Sequence, residues 1–237
     1  MTSLQRPDLG KDPQQVSGMF DQVAKRYDLT NMAMTFGLDA LWREATTNAV
    51  APQPGERILD LAAGTCRSSA SFARRGAEVV AADFSPGMLA EGKKNFGDVR
   101  GMSFAEADAT NLPFDDESFD AVSMSYGLRN VNDPKKAIAE LLRVTKPGGR
   151  IVINEFSTPP NRVFRGLYRF YNDRILPAVA RTVGSNGEAY DYLNESIRDW
   201  PAQHELAEWL REAGWTDVGY KNLSMGIVAL HRGRKAA

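Results

Sequence analysis

The chain has 237 residues, 43% hydrophobic and 25% charged, which is the profile of an ordinary globular protein with material for one large core. Its 29 basic and 30 acidic side chains nearly cancel, so no overall positive field draws it onto nucleic acid, and any membrane contact has to be local. The single cysteine, Cys66, excludes an internal disulfide framework and any thiolate-built zinc or iron–sulfur cluster, and fits a reducing cytoplasm.

Residues 1–13 carry Arg6, Asp8, Lys11 and Asp12 without a continuous apolar run, so neither a secretory leader nor a spanning helix is expected. Val16, Met19, Phe20, Val23, Ala24 and Tyr27 then fall at helical spacing, which predicts an amphipathic helix ending near Asp28. A second follows over about 41–50. Pro52, Pro54 and Gly55 punctuate the chain, and beyond them short β-rich runs alternate with helical patterns, the mark of a parallel α/β sheet.

The runs predict strands at 57–61, 78–82, 102–105, 119–125 and 150–155. The clearest helix is 133–144, with Pro134 in its first turn, Ile138, Leu141, Leu142 and Val144 on one side, and Lys146-Pro147-Gly148-Gly149 as its stop. Further helices are expected at 164–183 and 204–213, and two last strands near 218–221 and 226–231 as an antiparallel edge. The expected architecture is a seven-stranded, mostly parallel, doubly wound sheet. Residues 1–51 form a helical cap belonging to the same domain as 52–237.

Three segments suggest a nucleoside-type site. The first strand ends at Asp60-Leu61 and enters a small-residue turn, Ala62-Ala63-Gly64-Thr65, before a helix; such a turn admits a ligand close to backbone, although a plain strand-to-helix connection reads the same. Asp83 ends the second strand 23 residues after Asp60, near the spacing at which an acid meets ribose hydroxyls, with a simple helix N-cap before Ser85-Pro86 as the alternative. Ala107-Asp108-Ala109-Thr110 follows the third strand, where an acid can accept an adenine amino group. A nicotinamide dinucleotide fares worse, because the turn holds one glycine and lacks G-x-G-x-x-G.

These blocks, with Pro113-Phe114-Asp115 and Ser118-Phe119-Asp120, resemble the nucleoside half of a class I methyltransferase site. Phe20-Asp21-x-x-Ala24-x-x-Tyr27-Asp28-x-x-Asn31 with Gly37 and Trp42-Arg43 resembles the opening signature of the quinone-biosynthesis C-methyltransferases, the demethylmenaquinone and ubiquinone-precursor enzymes. Gly127-Leu128-Arg129-Asn130-Val131, Glu155-Phe156-Ser157-Thr158-Pro159, Tyr192-Leu193-x-Glu195-Ser196-Ile197 and the stretch from Asn222 to His231 extend that likeness over almost the whole chain. The resemblance implies S-adenosyl-L-methionine as cofactor, with Gly64 and Thr65 beside its methionine half, Asp83 on the ribose, Asp108 and Ala109 at the adenine, and Ser125 after the fourth strand. It implies a prenylated quinol as partner, closest to the menaquinone branch, with a ubiquinone precursor or a cofactor-binding protein without turnover as alternatives. One departure stands out: Gly64-Thr65-Cys66-Arg67 replaces the family's common Gly-Thr-Gly-Asp, and the Cys66 side chain is expected to shift the site or loosen the cofactor.

Carbon methylation needs an electron-rich ring, so only the reduced quinol is expected to react, helped by a base or a cation that stabilises phenolate. Arg129, just past the fourth strand, is the candidate for that role, against a structural ion pair with a carboxylate such as Asp133. Tyr27 and Asn31 are candidates for the pocket wall. His204 and His231 are expected to be structural, Cys66 is not expected to be a nucleophile, and no metal-ligand spacing appears. Residues 162–171 alternate basic and aromatic side chains, which suits either an interfacial lid or a core helix with solvated arginines. A peripheral position at the inner face of the membrane and a homo-oligomer both stay open.

Overall fold

Seven strands, β1 (Arg57–Leu61), β2 (Glu78–Asp83), β3 (Met102–Glu106), β4 (Phe119–Ser125), β5 (Thr145–Phe156), β6 (Thr216–Leu223) and β7 (Val228–Arg234), make one sheet. Its order in the computed structural model, which describes residues 11–175 and 187–237, is β3-β2-β1-β4-β5-β7-β6. β1 to β5 pair in parallel; β7 runs antiparallel between β5 and β6. The strand order reverses between β1 and β4, and a crevice opens at their carboxyl ends, where open α/β sheets place ligands.

The described helices are α1 (Pro13–Met34), α2 (Leu38–Val50), α3 (Arg67–Ala73), α4 (Pro86–Phe96), α5 (Pro134–Val144), α6 (Arg162–Phe170), α7 (Gly187–Arg198) and α8 (Gln203–Glu212). Alternation along β1 separates two cores. Ile58 packs with Phe72, Val79 and Val152 on one face, while Leu59 and Leu61 join Val122, Ile138, Leu141 and Leu206 on the other. α5 buries Ala137, Ile138, Leu141 and Val144, and Asp133 caps it by accepting from the Lys136 N–H at 3.0 Å, as its sequence signals suggest.

Several boundaries differ from expectation for local reasons. α1 continues past Asp28 to Met34, because Asp28 is paired across to another element; the stop is the turn at Phe36 and Gly37, both at positive φ. β5 begins at Thr145, before Arg150. The Lys146–Gly149 run ends the helix yet stays extended through a register shift opposite Phe119 and Ala121, with Gly148 at φ +75°. The long helix expected from Phe164 is α6 followed by a π turn at Tyr171–Ile175, and residues 176–183 of that expectation lie outside the described residues. α7 was not anticipated as a helix.

Candidate active site

The cleft at the strand ends is lined by Gly64, Asp83, Asp108, Ala109, Ser125 and Tyr126, among others, and is roofed by Phe20 and Tyr27 of α1. About 810 Å³ of empty space lies inside it and at its open mouth. Five of the six residues expected at the cofactor therefore share one cleft. The sixth, Thr65, turns away: it is buried, and its hydroxyl donates to Asp28 Oδ1 at 2.8 Å.

The turn after β1 enters the left-handed region at alternate residues, Ala62 (φ +54°), Gly64 (+54°) and Cys66 (+63°). A Cβ at Gly64 would meet nothing within 4 Å, so its backbone faces open cleft. Asp83 ties this turn to the next, accepting from the Gly64 N–H and the Ser85 N–H at 2.8 Å each. Burial raises the Asp83 pKa, and the N–H groups of Ser85 and Gly64 pull it back. Asp108 folds onto its own turn, accepting from both the Thr110 N–H and the Thr110 hydroxyl at 2.8 Å.

Asp60, beneath the turn, is 1% exposed and accepts from the Ser69 hydroxyl at 2.6 Å. Burial, opposed by that hydrogen bond, lifts its pKa to about 7. A carboxyl raised this way holds its proton in the folded state while the unfolded chain has already released it. Stability is therefore lost as pH climbs from about 4 to about 7, by up to about 4 kcal/mol. Urea unfolding of Asp60→Asn should show a flatter pH dependence than the parent across that window; parallel curves would exclude this origin.

The Cys66 side chain does not enter the cleft. It is fully buried and packs on α4, where a Cβ added at Gly92 would lie 2.4 Å from its Sγ. The feared obstruction of the site thus becomes a helix contact. Burial and the neighbouring carboxylates of Asp60, Asp83 and Asp28 push its thiol to about 12, which agrees with its expected inertness. Gly92→Ala should cost about 1–3 kcal/mol by overpacking. Most of that should return in Gly92→Ala/Cys66→Gly, since glycine also relieves the positive φ at position 66; a strictly additive double variant would refute the contact.

Two acids of α1, seven residues and hence two turns apart, clamp the helices beside the cleft. Asp21 Oδ1 accepts from the Ser85 hydroxyl at 2.5 Å and the Gly87 N–H at 2.8 Å, at the start of α4. Asp28 takes Thr65 and, through Oδ2, the Arg67 Nε–H at 2.8 Å, at the start of α3. Their neighbours Phe20 and Tyr27 present their rings to the cleft, edge to face at 6.1 Å. Of this arrangement only Tyr27 was anticipated. Asn31, the other residue expected on the pocket wall, is not among those that line the cleft.

After β4 the chain turns through Tyr126 (φ +58°), whose hydroxyl accepts from the Asn154 amide at 3.0 Å. Tyr126 stacks obliquely on Phe156 at 4.9 Å and lies 6.4 Å from Trp42. This aromatic group is a wall between the cleft and a second, mostly apolar groove formed by Met34, Leu38, Trp42, Phe156, Phe164 and Leu167.

Arg129 sits behind the wall, its side chain 5% exposed. One terminal nitrogen donates to Glu155 Oε1 at 2.8 Å and to the Tyr126 carbonyl; the guanidinium lies 5.1 Å from the Phe156 ring centre. Arg129 is not among the cleft-lining residues, and its partner is Glu155, because Asp133 is engaged as the α5 cap. His231 is buried with Nε2 2.8 Å from the Gln203 carbonyl, and His204 is exposed; neither adjoins the cleft.

Comparison with known proteins bears on which chemistry the cleft serves. The fold is shared with a Haloferax volcanii chain solved with the Trm112 methyltransferase activator (TM-score 0.67, 19% identity, 92% of this chain and 98% of that one). It is shared equally with the cyclase SpnF (TM-score 0.69, 19% identity, 94% and 96%), so fold by itself does not fix the reaction. Sequence is more specific. Proteins named demethylmenaquinone methyltransferase from Beutenbergia cavernae and Streptomyces avermitilis are 57% and 56% identical, over 99% and 98% of this chain and 96% and 100% of theirs. With the ubiE/COQ5 methyltransferase model matching residues 9–235, and an α/β cleft of the expected kind at the strand ends, the chain belongs to the ubiE/COQ5 methyltransferase family.

Proposed function

We propose that this protein transfers a methyl group from S-adenosyl-L-methionine to a ring carbon of demethylmenaquinol, giving menaquinol. The observation that carries the reading is the near full-length identity above 55% to proteins of that name, and a cleft at the strand ends lined by Asp83 and Asp108 supports it. The residues present fit that group: Gly64 leaves open space, Asp83 offers a carboxylate beside it, and Ala109 leaves the wall of the cleft shallow. When bound, the cofactor supplies an already activated methyl on a sulfonium.

The chain's own contribution is placement, exclusion of water and hydrogen bonding. Asp83 accepts the ribose hydroxyls, and Asp108 and Ala109 meet the adenine edge. Tyr27 and Tyr126 line the same cleft, and burial raises both phenol pKa values above the ordinary 10, so at neutral pH they are protonated donors toward the quinol oxygens. Arg129 is a positioning residue in this reading, holding the Tyr126 carbonyl and the Phe156 ring. The apolar groove beyond the aromatic wall receives the prenyl tail.

Labelled cofactor with a prenylated demethylnaphthoquinone, assayed with and without a reductant and followed by product mass and position, tests this. Incorporation only under reduction supports both the reaction and the quinol requirement. Cofactor binding with no incorporation in either condition overturns it.

A further inference from the structure

Val163, Leu167 and Phe170 of α6 are 76%, 64% and 61% exposed and recur at i, i+4 and i+7, so they form one stripe on the helix. The α1–α2 turn extends it. Phe36 is 73% exposed, its ring 6.0 Å from that of Tyr171, and the Tyr171 hydroxyl donates to the Met34 carbonyl at 2.9 Å. Apolar side chains grouped this way mark a contact surface.

Charge tells what kind. Arg162, Arg165 and Arg169 form a row roughly 120° round α6 from the stripe, and the helix holds no Asp or Glu. Arg165 is fixed by donating to the carbonyls of Pro159 and Pro160 at 2.8 and 3.2 Å. In a chain of net charge −1 this is a local concentration of positive charge. On its inner side the same helix sends Phe164 to the apolar groove, and Leu167 of the stripe borders that groove. No described helix is long and apolar enough to cross a membrane, so a contact here is made at a surface.

We propose that α6 and the α1–α2 turn dock on an anionic phospholipid bilayer, stripe inserted and arginines at the headgroups, with the groove mouth turned to the hydrocarbon. A continuous anionic surface matches a row of arginines without intervening acids, beside apolar side chains that a soluble monomer would otherwise leave in water. The purpose of the contact rests on the methyl-transfer reading, since a prenylated acceptor resides in the bilayer; the contact itself is tested without cofactor or acceptor.

The test is co-sedimentation of the full chain with phosphatidylglycerol/phosphatidylcholine vesicles and with pure phosphatidylcholine vesicles, at low and high salt. The parent should prefer the anionic vesicles by about tenfold or more, and lose that preference at high salt. Arg162→Glu/Arg169→Glu should lower partitioning onto anionic vesicles by at least about thirtyfold, from about fivefold per basic residue removed. Val163→Ser/Phe170→Ser should lower it on both vesicle types. All four side chains are exposed, so unchanged thermal melting is the folding control. Equal binding to neutral vesicles, indifference to charge reversal, or a serine pair that abolishes self-association in analytical ultracentrifugation while vesicle binding persists would overturn the proposal, the last assigning the face to a second copy. Methyl transfer to an unprenylated quinol in vesicle-free buffer reports separately on the reaction.

Discussion

Asp83→Ala should weaken S-adenosyl-L-methionine binding by about two to four orders of magnitude, because the two charge-assisted hydrogen bonds to the ribose proposed for it, at about 1.5–3 kcal/mol each, would be lost together. The same carboxylate accepts from the Gly64 and Ser85 N–H groups, so part of the loss would be loosening of the two turns that frame the cleft. Asp83→Asn separates the contributions: it keeps the volume and one acceptor oxygen, but sets an amide N–H₂ against a backbone donor. Calorimetric titration with cofactor should place it between the parent and the alanine variant. Because burial raises the Asp83 pKa, and the ionised form is the better acceptor, binding should also weaken toward acid sooner than for an ordinary carboxylate. Affinity within about threefold of the parent in Asp83→Ala would remove the residue from the cofactor site.

How much of this was legible in the sequence depended on how local each signal is. Buried parallel strands are continuous apolar runs, so β1, β2 and β4 stood out, and Pro134 with the Lys146–Gly149 run marked both ends of α5. The cleft residues Gly64, Asp83, Asp108, Ala109 and Ser125 lie at or just past strand ends, and topology brings strand ends together whatever the side chains do between them. Long-range pairing leaves no such trace. Asp28 looked like the polar end of α1 because its partners, Thr65 and Arg67, are 37 and 39 residues away. The N-cap weighed as the alternative for Asp83 is filled by Ser85, which accepts from the Met88 N–H, and whose hydroxyl also reaches Asp21, 64 residues earlier. The spacing of the two acids in Phe20-Asp21…Tyr27-Asp28 was the available signal: seven residues put them, and the two rings beside them, on repeating positions of one helix. The direction of the Cys66 side chain had no sequence signal, since it depends on the absent side chain at Gly92.

Arg129→Met should destabilise the fold by about 3–5 kcal/mol, since it strands the 1%-exposed Glu155 without its cation. For a chain of this size that is a fall in melting temperature on the order of 10 °C. Arg129→Met/Glu155→Gln should recover a large part, because an uncharged pair no longer carries the desolvation of a lone carboxylate, and the coupling between the two changes is the measure of the ion pair. Activity then separates the two roles weighed for this arginine. If it positions Tyr126 and Phe156, the double variant at a temperature where it is folded should keep cofactor affinity near the parent's, with the larger change in KM for the acceptor, whose ring the proposed function sets against that wall. If it acts on the reacting oxygen, kcat should collapse with KM unchanged, and neutralising Glu155 should restore none of it. The geometry favours the first outcome: the guanidinium is committed to Glu155, the Tyr126 carbonyl and the Phe156 face, and it lies outside the set of residues that line the cleft.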